Sequence, residues 1–448
     1  MSKAKAPNLL KKIYHRGLHL AVVGLGYVGL PTAALFADTG FHVTAIDIDP
    51  EVVEAVNKGI NPINEPELDV IISHNVQIGR LKATSNPKAL TQMDAIIVSV
   101  QTPIDQHRKP NLHFLMKAIE DVGKTLEKGI LVVIASTVPP GTLFETIKPK
   151  LEALSGLRAE EDFYLAYAPE RIAPGRAIRE FVENPRLVGG IGLNSTKITA
   201  ELFKTVCKEV IETDALTAEI AKLAENTYRD INIAFANQLA LICEQYGADV
   251  KKVIELANTH PRVNIHAPGP GVGGPCLPKD PYLLISKAKL EENMIEMARR
   301  INDYMPKHIV EVTIQAIESV GKKVSKCKIA VLGIAYKADV GDSRLSPSKT
   351  IIQQLQGLGA KVAAYDPYCH ELFGAEKAEN LHEAIKNADC IIIATDHTEF
   401  KKMNLSKLKE YMKENPIIVD GKRIITPNEA KNVGFKYYGI GYGVKNEI

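Results

Sequence analysis

At 448 residues the chain is long enough for roughly three domains of about 150 residues each, with 24% charged and 45% apolar residues. That balance excludes a largely disordered or collagen-like chain, and 55 Lys+Arg against 53 Asp+Glu, a net charge of +2, gives no whole-chain excess pointing to nucleic acid. Six cysteines at positions 207, 243, 276, 327, 369 and 390 form no CxxC and no Cys/His cluster, so neither a zinc site nor a disulfide scaffold is expected, and a reducing compartment is. The basic start MSKAKAPNLLKKIYHRG leads into Gly24, Gly26, Gly29 and Pro31, which interrupt any signal-peptide core. No apolar run approaches the ~20 residues of a membrane span. The expectation is a cytoplasmic protein with no membrane or nucleic-acid partner.

Short apolar runs then alternate with helical stretches. Leu18–Val23, Val43–Asp47, Ala95–Val100, Ile130–Ala135 and Phe163–Ala168 read as strands buried on both faces, the mark of a parallel sheet in a βαβ pattern. From Thr217 to Tyr246 there is no Pro or Gly, and Ile220, Leu223, Ala224, Ile231, Phe235, Leu239 and Ile242 recur with helical period. One long helix is predicted there, ended by Gly247. A Gly/Pro-rich loop at His260–Pro281 precedes a second helical run, Asn293–Val320, in which Pro306 either kinks the helix or opens a new one. After Gly321 the βαβ pattern returns with Lys328–Gly333, Lys361–Tyr365, Cys390–Ala394 and Ile417–Asp420. KIAVLGIAYK echoes LHLAVVGLGYVG with Ala335 in place of the second glycine. The fold class is therefore α/β, two Rossmann-like doubly wound parallel-sheet domains joined by a helical middle with a long central helix. The expected boundaries are 1–214, 215–320 and 321–448.

Six segments carry chemistry. Gly24-Leu25-Gly26-Tyr27-Val28-Gly29 follows a predicted strand and opens a helix. Gly24 permits the tight turn, Gly26 the approach of a pyrophosphate and Gly29 close helix–strand packing, with the phosphate charge at the helix start. Asp47 ends the next strand, where a carboxylate accepts from both ribose hydroxyls and favours NAD over its 2′-phosphorylated form; Asp49 lies past the strand end. In Gly273-Gly274-Pro275-Cys276-Leu277-Pro278-Lys279-Asp280, a cysteine between glycines and a lysine reads either as a buried structural thiol or as an activated nucleophile. Lys222 and Asn226 share a helix face at i,i+4, with Arg229 near it; by spacing alone this is a solvated polar stripe. Ala168-Pro169-Glu170-Arg171, Ser99–Pro103 (SVQTP) and Ser136–Gly141 (STVPPG) all close predicted strands, at the sheet edge where ligands of such folds bind.

These motifs, in this order, resemble the UDP-glucose/GDP-mannose dehydrogenase family over almost the whole chain: GLGYVGLP, QTP, STVPPG, the PER segment, the Lys222–Asn226 spacing, GVGGPCLPKD and GIAYKADVGDSRLSP. The resemblance implies oxidation of C6 of a UDP-sugar to a carboxylate at the expense of two NAD+, in a homodimer paired through its middle helices, with the C-terminal domain binding UDP. It implies that Cys276 is the nucleophile of thiohemiacetal and thioester intermediates, and that Lys222 and Asn226 hold the C6 oxygen. Asp280 with Thr137 would position the water, and Glu170 would serve thioester hydrolysis. Gly24, Gly26, Tyr27, Val28, Gly29, Asp47, Thr102, Thr137 and Arg344 would contact the cofactor. Arg171, Arg229, His260, Arg262, Gly271, Gly273 and Lys337 would join Glu170, Lys222 and Asn226 around the substrate. Glucose-type members carry PEFLREG, whereas this chain has Pro174 at the second glutamate and a new Arg171. The PER-x-x-PG form, NPRLVGG and VNIHAPGPGVGG look like the branch acting on UDP-N-acetylhexosamines, UDP-N-acetyl-D-mannosamine first, with the N-acetylglucosamine, N-acetylgalactosamine or glucose nucleotide as alternatives; Arg171 would face the 2-acetamido group. A non-catalytic NAD-binding regulatory protein is the reading from another class. The joint presence of Cys276, Lys222, Asn226, Asp280 and Glu170 weighs against it.

Overall fold

The computed structural model describes residues 6–63 and 65–443; the first five residues of the basic start lie outside them. Two compact units divide the chain: one runs to Glu225 and takes in Tyr282–Lys289, the other comprises Asn226–Pro281 and the chain from Leu290 on.

The first unit holds an eight-stranded sheet of β1 (His19–Val23), β2 (His42–Ile46), β3 (Leu81–Thr84), β4 (Ala95–Val98), β5 (Leu131–Ile134), β6 (Tyr164–Tyr167), β7 (Arg186–Gly190) and β8 (Val210–Asp214). Its order is β3-β2-β1-β4-β5-β6-β7-β8, and every neighbour pair is parallel except β6–β7. The order reverses between β1 and β4, the position at which doubly wound sheets open a crevice. Alternate residues of one strand feed two cores. Leu20 and Val22 face a cluster with Phe36, Phe181 and Phe203, while Ala21 faces one with Ile96, Val98 and Val132. That two-sided burial is why the strands read as unbroken apolar runs.

The second unit repeats the plan with β9 (Lys328–Leu332), β10 (Lys361–Tyr365), β11 (Glu376–Lys377), β12 (Cys390–Ile393), β13 (Ile417–Asp420) and β14 (Lys436–Gly439), all parallel, in the order β11-β10-β9-β12-β13-β14. The predicted strands all form. β3, β7, β8, β11 and β14 were not expected. β7 ends in two glycines, β8 is mostly exposed, and β11 has two residues, so none carries a buried apolar run.

The long helix spans Ala215–Tyr246. Asp214 starts it, accepting from the Thr217 N–H at 2.8 Å, and Gly247 follows its last turn at φ +77°. The second long helix, Met294–Glu318, is capped by Asn293 and contains Pro306 within one continuous run, so no new helix begins at the proline.

Candidate active site

The loop after β1 fits a dinucleotide for steric reasons. A Cβ on Gly29 would lie 1.7 Å from the Gly24 carbonyl oxygen, and one on Gly24, at φ +91°, would lie 2.5 Å from that of Ser99. Gly26 has nothing within 4 Å of its Cβ position. Two glycines are thus demanded by the protein's own packing, while the third borders open space. Tyr27 and Val28, both half-buried, lead into the helix Gly29–Asp38, whose start carries no side-chain cap bond. Asp47 Oδ2 accepts from the Leu25 N–H at 2.6 Å, closing the carboxylate over this loop. Asp49 is committed elsewhere, as N-cap of the next helix through the Glu51 N–H.

The loops after β4 and β5 are laced together. Ser136 Oγ accepts from the Val100 N–H and donates to its carbonyl, and Thr102 Oγ1 donates to the Thr137 carbonyl at 2.6 Å. Thr102 is buried and Thr137 half-buried. After β6, Glu170 is buried in an ion pair with Arg186 at 2.6 Å, and its other oxygen accepts from the Arg171 N–H at 2.7 Å. The Arg186 guanidinium lies over the rings of Phe181 and Phe203 and also donates to the Pro169 carbonyl. Arg171 pairs with Glu225 at 2.8 Å and donates to the Pro185 carbonyl at 2.6 Å. Its guanidinium therefore braces the PER segment against the long helix. Lys222, three residues before Glu225, is buried.

In the second unit Asn226 Nδ2 donates to Asp280 Oδ2 at 2.7 Å, with both residues buried. Asp280 opens the helix Asp280–Ile285, and its N–H reaches back to the Cys276 carbonyl at 2.8 Å. Lys279 lies 3.8 Å from the same carboxylate. Cys276 itself is exposed, so it is not the buried structural thiol that the sequence also allowed. Its loop rests on the segment after β9. Gly274 donates to the Arg344 carbonyl, and a Cβ on Gly273 would lie 2.7 Å from the Leu345 carbonyl oxygen. Gly271, at φ +129°, lies against Pro306. Arg344 grips Asp342 through two nitrogens, while Lys337, Arg229, His260 and Arg262 are exposed.

The polar face of the long helix is a correction to the reading by spacing. Lys222 and Asn226 belong to a buried stripe with Glu219, Asp230 and Asn237, while Ile220, Phe235 and Ile242 of the apolar set are exposed. The fold supplies partners for Glu219, Asn226, Asp230 and Asn237. Arg299, from the second long helix, meets Asp230 at 2.6 Å and also pairs with Asp303. Asn302 donates to Asp230, Asn237 donates to Asn302, and Gly269, within the Gly/Pro-rich loop, donates to Asn237. Glu219, Arg186 and the Asp230–Arg299 pair escaped the sequence reading. The available signal was the shared helix face of 219, 222, 226 and 230.

The chain matches the family's NAD-binding domain over residues 18–207, its central domain over 216–304 and its UDP-binding domain over 330–427. The chain belongs to the UDP-glucose/GDP-mannose dehydrogenase family. It is an NAD-dependent oxidoreductase of the UDP-sugar dehydrogenase type. Within the family it is 44% identical to the UDP-N-acetyl-D-mannosamine dehydrogenase of Pyrococcus horikoshii, over 95% of this chain and 100% of that one. A solved structure of the Pyrococcus horikoshii UDP-D-ManNAc dehydrogenase superposes with a TM-score of 0.91, covering 96% of this chain and 100% of that chain. The NDP-N-acetyl-D-galactosaminuronic acid dehydrogenase of Methanosarcina mazei Go1 does so with 0.85 at 37% identity, covering 99% of each. No helix among the described residues is long and apolar enough to cross a membrane.

Proposed function

We propose that this dehydrogenase converts UDP-N-acetyl-D-mannosamine to UDP-N-acetyl-mannosaminuronate, a four-electron oxidation of C6. The observation that carries the substrate is the 44% identity, over essentially full length, to a relative named for it. The Methanosarcina mazei relative keeps the galacto-configured sugar as the second reading.

Gly24, Gly26, Tyr27, Val28, Gly29 and Asp47 would hold the cofactor's pyrophosphate and ribose, with Thr102, Thr137 and Arg344 toward its other end. NAD+ held there would supply the hydride acceptor for each of the two oxidations at C6. Lys222 and Asn226 hydrogen-bond the C6 oxygen and stabilise negative charge as it develops there. The Cys276 thiolate adds to the aldehyde carbon, giving a thiohemiacetal whose oxidation leaves a thioester. Asp280 and Thr137 position the water that attacks it, and Glu170 serves the hydrolysis, which returns the thiol and releases the carboxylate. The exposure of Cys276 and the Asn226–Asp280 bond support these roles. Arg229, His260, Arg262, Gly271, Gly273 and Lys337 are assigned to the substrate. Arg171 is assigned to the 2-acetamido side, its plane fixed by Glu225; Arg171→Phe is expected to lower UDP-N-acetylmannosamine turnover relative to UDP-glucose, and unchanged rates with both would remove the assignment. The three matched family segments support the division at 1–214, 215–320 and 321–448. The exposed apolar side of the long helix supports a homodimer, and the scattered cysteines a cytoplasmic location.

The test is NADH formed per sugar consumed, with the manno, gluco and galacto N-acetyl nucleotides and UDP-glucose run in parallel. Two NADH per sugar with preference for the manno epimer is the expected result. Two NADH with another sugar moves the substrate and keeps the chemistry. One NADH with free aldehyde removes the thioester route.

A further inference from the structure

Glu219 is a buried acid for which the proposed chemistry has no use. It lies three residues before Lys222 on the long helix and is 1% exposed. Its Oε2 accepts from the Gly141 N–H at 2.6 Å and its Oε1 from the Leu143 N–H at 2.9 Å. These donors sit where the STVPPG segment turns into the helical run that begins at Leu143. Both oxygens are needed, because two separate N–H groups point at the one carboxylate. A side chain with a single acceptor leaves one of them buried without a partner.

The segment held at this end is held at its other end too. Ser136 is bonded to Val100, and the Thr137 carbonyl takes the Thr102 hydroxyl. Thr142 Oγ1 donates to the Pro139 carbonyl between them. Glu219 is therefore the anchor that comes from the long helix, and Thr137 lies within the anchored stretch. The charged groups facing Glu219 from neighbouring elements are Glu145, on the turn after Gly141, and Lys287, which pairs with Glu145 at 2.6 Å; Lys222 is the nearby charge on its own helix.

We propose that Glu219 is a positioning residue for the dehydrogenase reaction, its two-oxygen clamp on Gly141 and Leu143 holding the STVPPG segment, and with it the Thr137 hydroxyl, in register with the bound dinucleotide. This rests on the assignment of Thr137 to the cofactor side. Burial pushes the Glu219 carboxyl up to about 7, helped by Glu145 and opposed by the two N–H groups and Lys287. The sign follows. Above that value both oxygens accept. As pH falls through it, one oxygen becomes a hydroxyl facing an N–H, and the clamp loosens.

Glu219→Gln tests this, because it keeps the shape, keeps one acceptor and sets an NH2 group against one of the two donors. Three readouts are taken on the full chain: hydrogen exchange at the Gly141 and Leu143 amides, the NADH dissociation constant, and steady-state kinetics against pH. The expected result is faster exchange at one amide or both and kcat/KM for NAD+ lower by about ten- to a hundredfold, the scale of a displaced positioning group, with KM for the UDP-sugar within about twofold. NADH binding weakens, and the arm near neutral pH disappears from the profile. Unchanged exchange overturns the clamp. Faster exchange with unchanged NADH affinity and an unchanged pH profile reduces Glu219 to a fold anchor and overturns the positioning role. Should Glu219→Gln not fold, wild-type protection factors at the two amides decide: they fall between about pH 8 and about pH 6 if the clamp titrates, and a flat response overturns it. If the wild type turns over none of the N-acetyl sugars, the substrate assignment fails while exchange and NADH affinity still decide the clamp.

Discussion

Arg186 and Glu170 illustrate what a buried charge demands of its surroundings. The buried guanidinium lies over two phenylalanine rings, and the carboxylate spends one oxygen on it and the other on a backbone N–H. Removing one partner leaves the other charged and dry. Arg186→Met is therefore expected to cost about 3–5 kcal/mol in urea unfolding. A cost below about 1 kcal/mol would mean that water or another cation takes the vacated place. Cys276 stands at the opposite extreme, exposed in a loop that is braced on all sides by backbone contacts. On the proposed mechanism its truncation removes the nucleophile, and with it little packing. Cys276→Ala is expected to keep its melting temperature within about 1–2 °C, as a surface truncation worth a fraction of a kcal/mol would, and to yield no more than one NADH per sugar. Completion of both oxidations by that variant would remove the covalent route.

At the scale of elements, the glycine loop separates folding from binding within six residues. Gly29→Ala drives a methyl into the Gly24 carbonyl and is expected to unfold the loop, lowering thermal stability along with NADH affinity. Gly26→Ala places its methyl in open space. It should leave the melting temperature within about 2 °C, since surface changes of this kind are within ~0.5 kcal/mol, and still weaken NADH binding by at least about tenfold, the cost of keeping a phosphate away from the backbone. Equal NADH affinity in Gly26→Ala and wild type would place the pyrophosphate elsewhere. The long helix gives the complementary lesson. Its length and end were legible, because thirty residues without Pro or Gly and a following glycine admit little else. Which side faces inward was not. Apolar Phe235 and Ile242 are exposed while Glu219, Asp230 and Asn237 are buried, because partners from distant segments satisfy them.

For the whole molecule, the exposed apolar side of that helix has a consequence. Tyr228, Phe235 and Tyr246 along it, with Met294 and Met297 on the second long helix, are more than half exposed. Apolar side chains repeating along a helix mark a surface that another chain covers. Sedimentation should give twice the chain mass at micromolar concentration, and Phe235→Glu should shift it toward the single chain. A wild type that sediments as one chain would remove the homodimer. The two sheets follow one plan around their first strands, down to the carboxylate that ends the second strand. Asp366 accepts from the N–H groups of Ile334 and Ala335 as Asp47 does from Leu25. In the second unit, however, Asp366 is buried against His397, whose other ring nitrogen accepts from the Asp339 N–H. Although burial opposes its charge, His397 and the loop N–H groups hold the Asp366 carboxyl below the usual range.

The local pattern of the sequence determined whatever depends on near neighbours. Continuous apolar runs marked the inner strands, the glycine spacing marked the tight turn from β1 into the next helix, and the ordered motifs marked the family. Edge strands such as β8 were missed because an exposed strand has no apolar run to mark it. The partners of these charges, buried or half-buried, were decided only by tertiary structure: Arg186 for Glu170, Glu225 for Arg171, two backbone N–H groups for Glu219. The reason is energetic. A carboxylate on a helix reads as a solvated residue in sequence, and burial becomes tolerable only once residues up to seventy-eight positions away supply the hydrogen bonds that water would have made.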